Sequence, residues 1–343
     1  MGEGADKAVL RLACGLGLAA FVAYGSGLPM PFVVCLMSVL VLCKPGPPQP
    51  LLKGVIGAML FAGLVAAGIL MVPLLDHYPL SGVLLTAVIL HGLFYTGMLR
   101  ANPLTMILVL AFAVIPVVGF MDQGMVGTIS VTLAVGLATG SLTNAVSHAF
   151  FPDRAVGGAA RPAAPVPDRE TASWIALRAT LVVMPVFLLA LTNPSFYMAA
   201  IMKSVALGQQ AGEANARSAG RELVGSTLMG AVIAALLWFG LSLWPCLWML
   251  VLWLMAAALW AGSGIFRTRR TNFRPSFWSN ALITSLLLLG PAIEDSASGK
   301  GVFEASAMRL ALFVLVALYA TVTVWILERW RPARDGVLLA EPH

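Results

Sequence analysis

Long apolar runs separated by short polar connections fill most of the chain. Their ends coincide with prolines, glycines or charged residues, which is how membrane-spanning helices are delimited in sequences. Twelve runs are found, at about 9–27, 30–43, 52–74, 80–99, 103–120, 126–149, 173–192, 195–207, 222–243, 246–265, 276–293 and 305–327. Most of them approach the roughly 20 apolar residues that a helix needs to cross a bilayer. The pattern predicts an all-α polytopic membrane protein with about twelve transmembrane segments.

Two of these runs, 30–43 and 195–207, are shorter than the others. The second of them leads into a polar stretch that continues to the start of the next apolar run. A short hydrophobic segment interrupted by polar residues marks a binding site in many transporters, above all when both halves of the chain contain one. We therefore expect a short or broken second span in each half, and a functional site within residues 193–222.

A Pro-, Ala- and Gly-rich segment at 152–172 divides the chain into two six-span blocks, 1–151 and 173–329, followed by a tail at 330–343. Landmarks such as Arg11 and Arg178, or Gly57 and Gly225, recur at a nearly constant offset of about 168 residues. Six spans per block place both blocks in the membrane with the same orientation. The sequence thus predicts two parallel six-span repeats joined by a cytoplasmic linker.

The composition supports a membrane protein, because 59% of the residues are hydrophobic and only 10% are charged, against about 25% charged in soluble domains. The net charge of +6 follows from Lys and Arg that collect in alternate connections. This bias predicts a bacterial inner-membrane protein with both termini in the cytoplasm, and no nucleic-acid partner. We find no nucleotide-binding, catalytic or metal-ligand motif, so we expect no enzyme, no metal and no cofactor.

The polar stretch of the second half carries the candidate substrate-binding residues Lys203, Gln210, Arg217 and Arg221. If one helix continues through the stretch, these four side chains share one face. Such a basic stripe at the mouth of a short span would attract an anion. The alternative is an ordinary basic loop with long side chains that reach towards water. The first half has almost no polar residues at the matching place, so the expected site is asymmetric.

The candidates for proton coupling are His91, Glu213 and Glu222, because transport driven by a proton gradient needs a titratable group. For His91 the alternative is a structural hydrogen bond between helices. Trp253 and Trp260 lie seven residues apart and hence on one helix face. They are candidates for lining the path of an aromatic substrate, with helix packing as the alternative.

One junction resembles the fusaric acid resistance / aromatic acid exporter superfamily: FYMAAIMKSVALGQQ followed by AGRELVGSTLMGAVIAALL, with Arg221, Gly225, Thr227 and Gly230 in the corresponding places. The first half, from LRLACGLGLAAFVAYGSGLPMPF onward, looks like the compact subgroup of uncharacterised membrane proteins that lack the family's large cytoplasmic domain. The resemblance implies an inner-membrane efflux component that works with a periplasmic adaptor protein of the membrane-fusion type and uses the proton gradient.

These observations together predict a secondary efflux transporter for a small organic anion, with an aromatic carboxylate as one option. Its partners would be the substrate, the adaptor and membrane lipids, and a homo-oligomer is left open. Two other functions agree with the same residues. One is a non-transporting membrane scaffold for an adaptor or envelope complex, and the other is a lipid or polyprenyl-phosphate translocase.

Overall fold

The computed structural model describes residues 3–43, 56–57, 59, 63, 71–100, 104–121, 123–152, 168–213, 216–299 and 301–330. Over these residues the chain forms twelve α-helices and no strand. They are α1 Glu3–Gly25, α2 Pro31–Leu42, α3 Met71–His77, α4 Pro79–Arg100, α5 Leu104–Met121, α6 Gln123–Phe150, α7 Arg169–Thr192, α8 Pro194–Glu213, α9 Ala216–Leu243, α10 Leu247–Ile265, α11 Pro275–Ala297 and α12 Val302–Trp330. The prediction of an all-helical polytopic membrane protein is confirmed.

Prolines set several helix starts. Four helices begin on a proline, at Pro31, Pro79, Pro194 and Pro275. A proline suits the first helical position because its backbone angle is already helical and its missing N–H would have no partner there. The turn between α1 and α2 uses positive φ angles at Gly27 (64°) and Met30 (51°), so it can reverse the chain within a few residues.

Within the described part of the chain, eight helices are long and apolar enough to cross a membrane: α1, α4, α6, α7, α9, α10, α11 and α12. Helix α2, with 12 residues, is short as predicted. Helix α8 has 20 residues and continues to Glu213, beyond the predicted end at 207. Its last turns are polar, and Gln210 in them donates to the Glu222 backbone oxygen of α9. Most of the predicted third run, 52–74, lies outside the described residues.

Helix α11 is the most buried of these eight helices, and α4 is the least buried. Helix α2 packs on α6 and α11, and α8 packs on α7, α5 and α11. Contacts between the two halves of the chain also include α1 with α10 and α4 with α7. The short helix α2 and the polar helix α8 therefore both contact α11, in the interior of the bundle.

Helix α7 begins at Arg169, within the predicted linker at 152–172. Residues 153–167 of the predicted linker and 331–343 of the predicted tail lie outside the described residues. The inner-membrane location and the cytoplasmic position of both termini stay predictions.

Candidate functional site

Lys203 lies at the middle of α8, and its side chain is completely buried. Its Nζ donates to Asn280 Oδ1 at 3.0 Å and to Thr284 Oγ1 at 2.5 Å, both on α11. The Thr284 hydroxyl donates to the Asn280 backbone oxygen at 2.6 Å, so it is free to accept from the lysine. Among the residues that the structure describes, no carboxylate lies within 4.0 Å of this amine. A buried ammonium with only neutral partners is costly, which makes Lys203 the first candidate for function.

A chain of hydrogen bonds extends from the lysine to α9. Asn280 Nδ2 donates to Ser226 Oγ at 2.6 Å, and Ser226 Oγ lies 3.3 Å from Gln210 Oε1. Gln210 Nε2 in turn donates to the backbone oxygen of Glu222 at 3.0 Å. The network joins α8, α9 and α11, and its side chains are almost completely buried. Because each amide and hydroxyl has a partner, the network fixes the orientation of Asn280 beside the lysine.

A cavity of about 280 Å³ lies between α2, α8 and α11, where α2 and α8 end and α11 begins. Helices α8 and α11 give it a polar wall formed by Gln209, Gln210, Ser276, Ser279 and Asn280. Helix α2 contributes Val39, Leu40 and Cys43, which carry no charge. Asn280 belongs both to the cavity wall and to the partners of Lys203. The amine of the lysine therefore lies one side chain away from the cavity.

The first turn of α11 adds a second feature that suits an anion. Pro275 and Ser276 line the cavity, and the side chain of the N-cap residue, Arg274, makes no capping hydrogen bond. The Ser276 Oγ is buried without a hydrogen-bond partner among the described residues. A helix amino terminus has a partial positive charge and exposed N–H groups. The cavity thus lies beside a helix amino terminus, a buried hydroxyl without a described partner and the amine of Lys203.

The predicted basic stripe does not form. Gln210 on α8 and Glu222 on α9 are joined by a 3.0 Å hydrogen bond, whereas one continuous helix would hold residues twelve apart at roughly 18 Å. The chain therefore reverses direction between the two helices, and the assumption of a single helix was wrong. Lys203 and Gln210 still come together within one network. The side chains of Glu213 and Arg217 lie outside the part of the structure that is described.

Arg221, Trp253 and Trp260 lie apart from the cavity. Arg221 is exposed, and its guanidinium carbon lies 5.5 Å from the centre of the Phe273 ring. Trp260 packs edge-on against Trp278 with ring centres 4.9 Å apart. Both tryptophans belong to α10, which forms no wall of the cavity. For Trp253 and Trp260 the alternative of helix packing describes the observed contacts, since Trp253 is seated on Gly240 of α9.

Of the proton-coupling candidates, Glu222 adjoins the network and His91 does not. The Glu222 side chain is buried, with Oε1 3.6 Å from Arg274 Nε. Its Oε2 is buried and has no hydrogen-bond partner among the described residues. His91 lies on α4, and its Nδ1 is likewise buried without a hydrogen-bond partner in the described part. Helix α4 contributes no residue to the cavity wall.

Sequence reasoning missed Asn280, Thr284, Ser226 and Ser276. Asn280 and Thr284 are four residues apart on α11, so they share a helix face. Polar residues repeated at this spacing inside an apolar run were the signal that could have found them. Ser226 stands between Gly225 and Thr227 on α9, and no sequence pattern sets it apart from these small neighbours.

Residues 8–146 match a family model described as a protein of unknown function (DUF2955). No curated protein matches the chain, and no solved structure matches it. The matched residues include α1, α2 and most of α6 but neither Lys203 nor Asn280. The resemblance to the fusaric acid resistance / aromatic acid exporter superfamily therefore stays an expectation, without a named relative behind it.

Proposed function

We propose that this chain is an inner-membrane secondary exporter of small organic anions, and that the cavity between α2, α8 and α11 is its substrate site. The observation that carries the proposal is the fully buried Lys203, whose hydrogen-bond partners are neutral and include Asn280 of the cavity wall. As the resemblance implies, the exporter would use the proton gradient and deliver its substrate to a periplasmic adaptor protein.

The charge of the site selects anions. Two opposite charges 4 Å apart attract each other by about 4 kcal/mol at the effective dielectric constant near 20 that suits protein sites. A protonated Lys203 would attract an anion in the cavity across Asn280, at a larger distance and therefore more weakly than this, and the Ser276 hydroxyl on the same wall would donate a hydrogen bond. A cation would be repelled. The apolar wall on α2 suits the hydrocarbon part of an organic anion better than a bare inorganic ion.

The size of the cavity limits the substrate. Sites for drug-sized ligands usually have about 300–1,000 Å³, and this cavity has about 280 Å³. The substrate is therefore a small molecule, such as a monocyclic carboxylate. A lipid or a polyprenyl phosphate would have to leave most of its chain outside the cavity.

The arrangement of helices supports alternating access between two halves. The second helix of the first half, α2, packs on α11, and the matching helix of the second half, α8, packs on α5. The pairs α1 with α10 and α4 with α7 correspond in the same way, as expected for two related six-span repeats. We propose that the halves rock against each other at these contacts, of which the one between α2 and α11 borders the cavity, as in other transporters built from repeats.

Two driving forces favour export. An anion that leaves the cell moves with the inside-negative membrane potential, which contributes about 2.3 kcal/mol per elementary charge at 100 mV. We further propose that Glu222 exchanges the coupled proton, because its unpartnered Oε2 lies in the same buried region as Gln210. The pairing of Glu222 with Arg274 at the start of α11 would transmit a change of protonation to the cavity wall.

The test is uptake of labelled benzoate, a small aromatic carboxylate, into inside-out vesicles with and without an imposed pH gradient. Wild-type vesicles should accumulate benzoate faster with an acidic lumen. Lys203→Met should lower the initial rate by about 10- to 100-fold. The variant loses the hydrogen bond from the lysine to Asn280 of the cavity wall, and a hydrogen bond to a charged group contributes about 1.5–3 kcal/mol. The matched control is Arg270→Gln, which removes one exposed positive charge outside the cavity and should transport like wild type.

Equal uptake by wild type and Lys203→Met, independent of the gradient, would contradict the proposal. The same result, combined with intact binding of an adaptor, would favour the scaffold function instead. Separate clamping of the membrane potential and the pH gradient distinguishes the two driving forces, since only the pH-dependent part should disappear in Glu222→Gln.

A further inference from the structure

An aromatic cluster lies where α10 ends and α11 begins, apart from the cavity. It consists of Trp260 on α10, Phe273 in the connection, and Phe277 and Trp278 on α11. Phe273 and Phe277 are stacked with ring centres 4.1 Å apart, and Trp278 packs edge-on against Trp260 at 4.9 Å. The side chain of Arg269 also packs against this cluster.

The Arg269 guanidinium contacts the rings of two tryptophans, Trp260 and Trp278. Its central carbon lies 5.1 Å from the centre of the Trp260 ring and 4.9 Å from the centre of a Trp278 ring. Cation–π contacts of this kind contribute about 0.5–1 kcal/mol each at exposed sites. The backbone is fixed as well, because the Arg269 N–H donates to Ser263 O at 3.1 Å and Arg267 adopts a φ of 57°. This arginine is therefore oriented before any ligand arrives.

The N–H groups of Arg269 remain available. A guanidinium has five N–H donors in a planar fork, and the residue is exposed. Among the residues that the structure describes, neither a hydrogen-bond acceptor nor a carboxylate pairs with this side chain. Tryptophan rings satisfy the charge of the guanidinium through its face but accept none of the in-plane hydrogen bonds. The in-plane N–H groups of Arg269 are thus open to an acceptor outside the described chain.

The position of the cluster indicates where that acceptor comes from. Helix α10 is one of the eight helices apolar enough to cross a membrane, and Trp260 lies near its end with 39% of its surface exposed. Tryptophan at the end of a spanning helix marks the level of the lipid headgroups. Arg269 follows just beyond that level. An acceptor expected at the headgroup level is the phosphate of a phospholipid.

We propose that Arg269, oriented by Trp260 and Trp278, binds the headgroup phosphate of an anionic phospholipid through its guanidinium fork. Arginine suits this ligand because two parallel N–H groups match two phosphate oxygens. The exposed neighbours Arg267 and Arg270 add a general attraction for an anionic membrane surface. The site does not depend on the transport function proposed above, since none of these residues lines the cavity.

The experiment measures lipid binding by the purified full-length protein. Native mass spectrometry from detergent would titrate phosphatidylglycerol, with phosphatidylcholine of the same acyl chains as the zwitterionic comparison. We expect tighter binding of phosphatidylglycerol, and at least about tenfold weaker binding in Arg269→Gln, because that variant loses the hydrogen bonds of the fork as well as the charge, which alone contributes about fivefold. Arg270→Gln is the matched control, because it removes the same charge from the next residue, for which the structure shows no ring contact.

Two further variants separate orientation from charge. Arg269→Lys keeps the charge and loses the fork, so its affinity should fall between wild type and Arg269→Gln. Trp260→Leu keeps the arginine and removes one of the rings that orient it, and it should weaken phosphatidylglycerol binding while leaving the elution volume unchanged.

Three results would overturn the proposal. The first is an equal loss in Arg269→Gln and Arg270→Gln, which would indicate only the general charge of the connection. The second is equal binding of phosphatidylcholine. The third is full competition by millimolar inorganic phosphate, which would identify a site for free phosphate rather than for a lipid headgroup.

Discussion

Helices α5 and α11 both pack on α8, and each has a proline in its interior, Pro116 in α5 and Pro291 in α11. Their buried faces differ. Between residues 109 and 118 the buried side chains of α5 are all apolar, whereas α11 buries Asn280, Thr284 and Ser285. The buried surface of α5 beside α8 is therefore apolar over these residues, whereas that of α11 contains the hydrogen-bond network and lines the cavity.

This difference shows what a buried lysine requires. An ammonium can remain inside a helical bundle only where neighbouring helices supply acceptors, and α11 supplies two, on Asn280 and Thr284. Helix α5 has none over its described buried residues. The functional asymmetry therefore arises from the partners of α8 as much as from α8 itself.

The largest effect should come from making α11 resemble α5. Asn280→Leu removes one acceptor of Lys203 and the start of the hydrogen-bond chain to α9. We expect the free energy of unfolding to fall by about 3 kcal/mol, because the ammonium stays buried with one acceptor fewer. Benzoate transport should be lost. Thermal unfolding in detergent, followed by circular dichroism, measures the stability.

A second substitution provides the control for this experiment. Adding Lys203→Met to Asn280→Leu removes the unsatisfied charge, so stability should recover to near the wild-type value while transport stays absent. A double variant as unstable as Asn280→Leu alone would show that the amide supports the fold for a reason other than the lysine.

Packing between α9 and α11 should give the next largest effect. A Cβ atom on Gly230 would lie 2.5 Å from Thr284 Cβ and 2.6 Å from the Ala281 backbone oxygen. Gly230→Leu should therefore separate the two helices and cost about 2–3 kcal/mol, as overpacking usually does. Gly92→Leu on α4 is the control, since a Cβ there meets no atom within 4 Å. Similar melting temperatures for both variants would contradict the close contact.

A polar residue placed on α5, whose buried residues are apolar, tests the comparison in the other direction. Ile115 on α5 is completely buried, and Ile115→Asn would introduce an amide without a partner. The expected cost is about 2 kcal/mol, with the transport rate per folded molecule unchanged. A loss of transport at full stability would mean that the α5 side also belongs to the substrate path.

The smallest expected effect compares the first helices of the two halves. Arg178 on α7 binds Glu328 Oε2 at 3.1 Å and the Ala211 backbone oxygen at 2.6 Å, whereas Arg11 on α1 contacts the ring of His148 at 2.9 Å. Arg178→Gln should cost about 1–2 kcal/mol because it leaves a carboxylate and a carbonyl without their partner. Arg11→Gln tests the matching position of the first half, and the two melting temperatures are measured side by side.

The sequence predicts the helices well, because prolines, charges and apolar length are local signals. The location of Lys203 inside a helix was also visible, since its neighbours on both sides are apolar. Its partners were not visible: Asn280 and Thr284 are about 80 residues away along the chain, and only tertiary packing brings them to the lysine. The reversal between α8 and α9 was missed for a related reason, because no proline marks it and the residues on both sides favour helix.

Phe32 on α2 rests directly on Gly290 of α11, and α1 lies along α10. Residues 8–146, the part that matches a known family model, thus bury two of their helices against the other half of the chain. That region alone would expose these faces. The two halves of this chain, produced as separate polypeptides, should therefore assemble with each other.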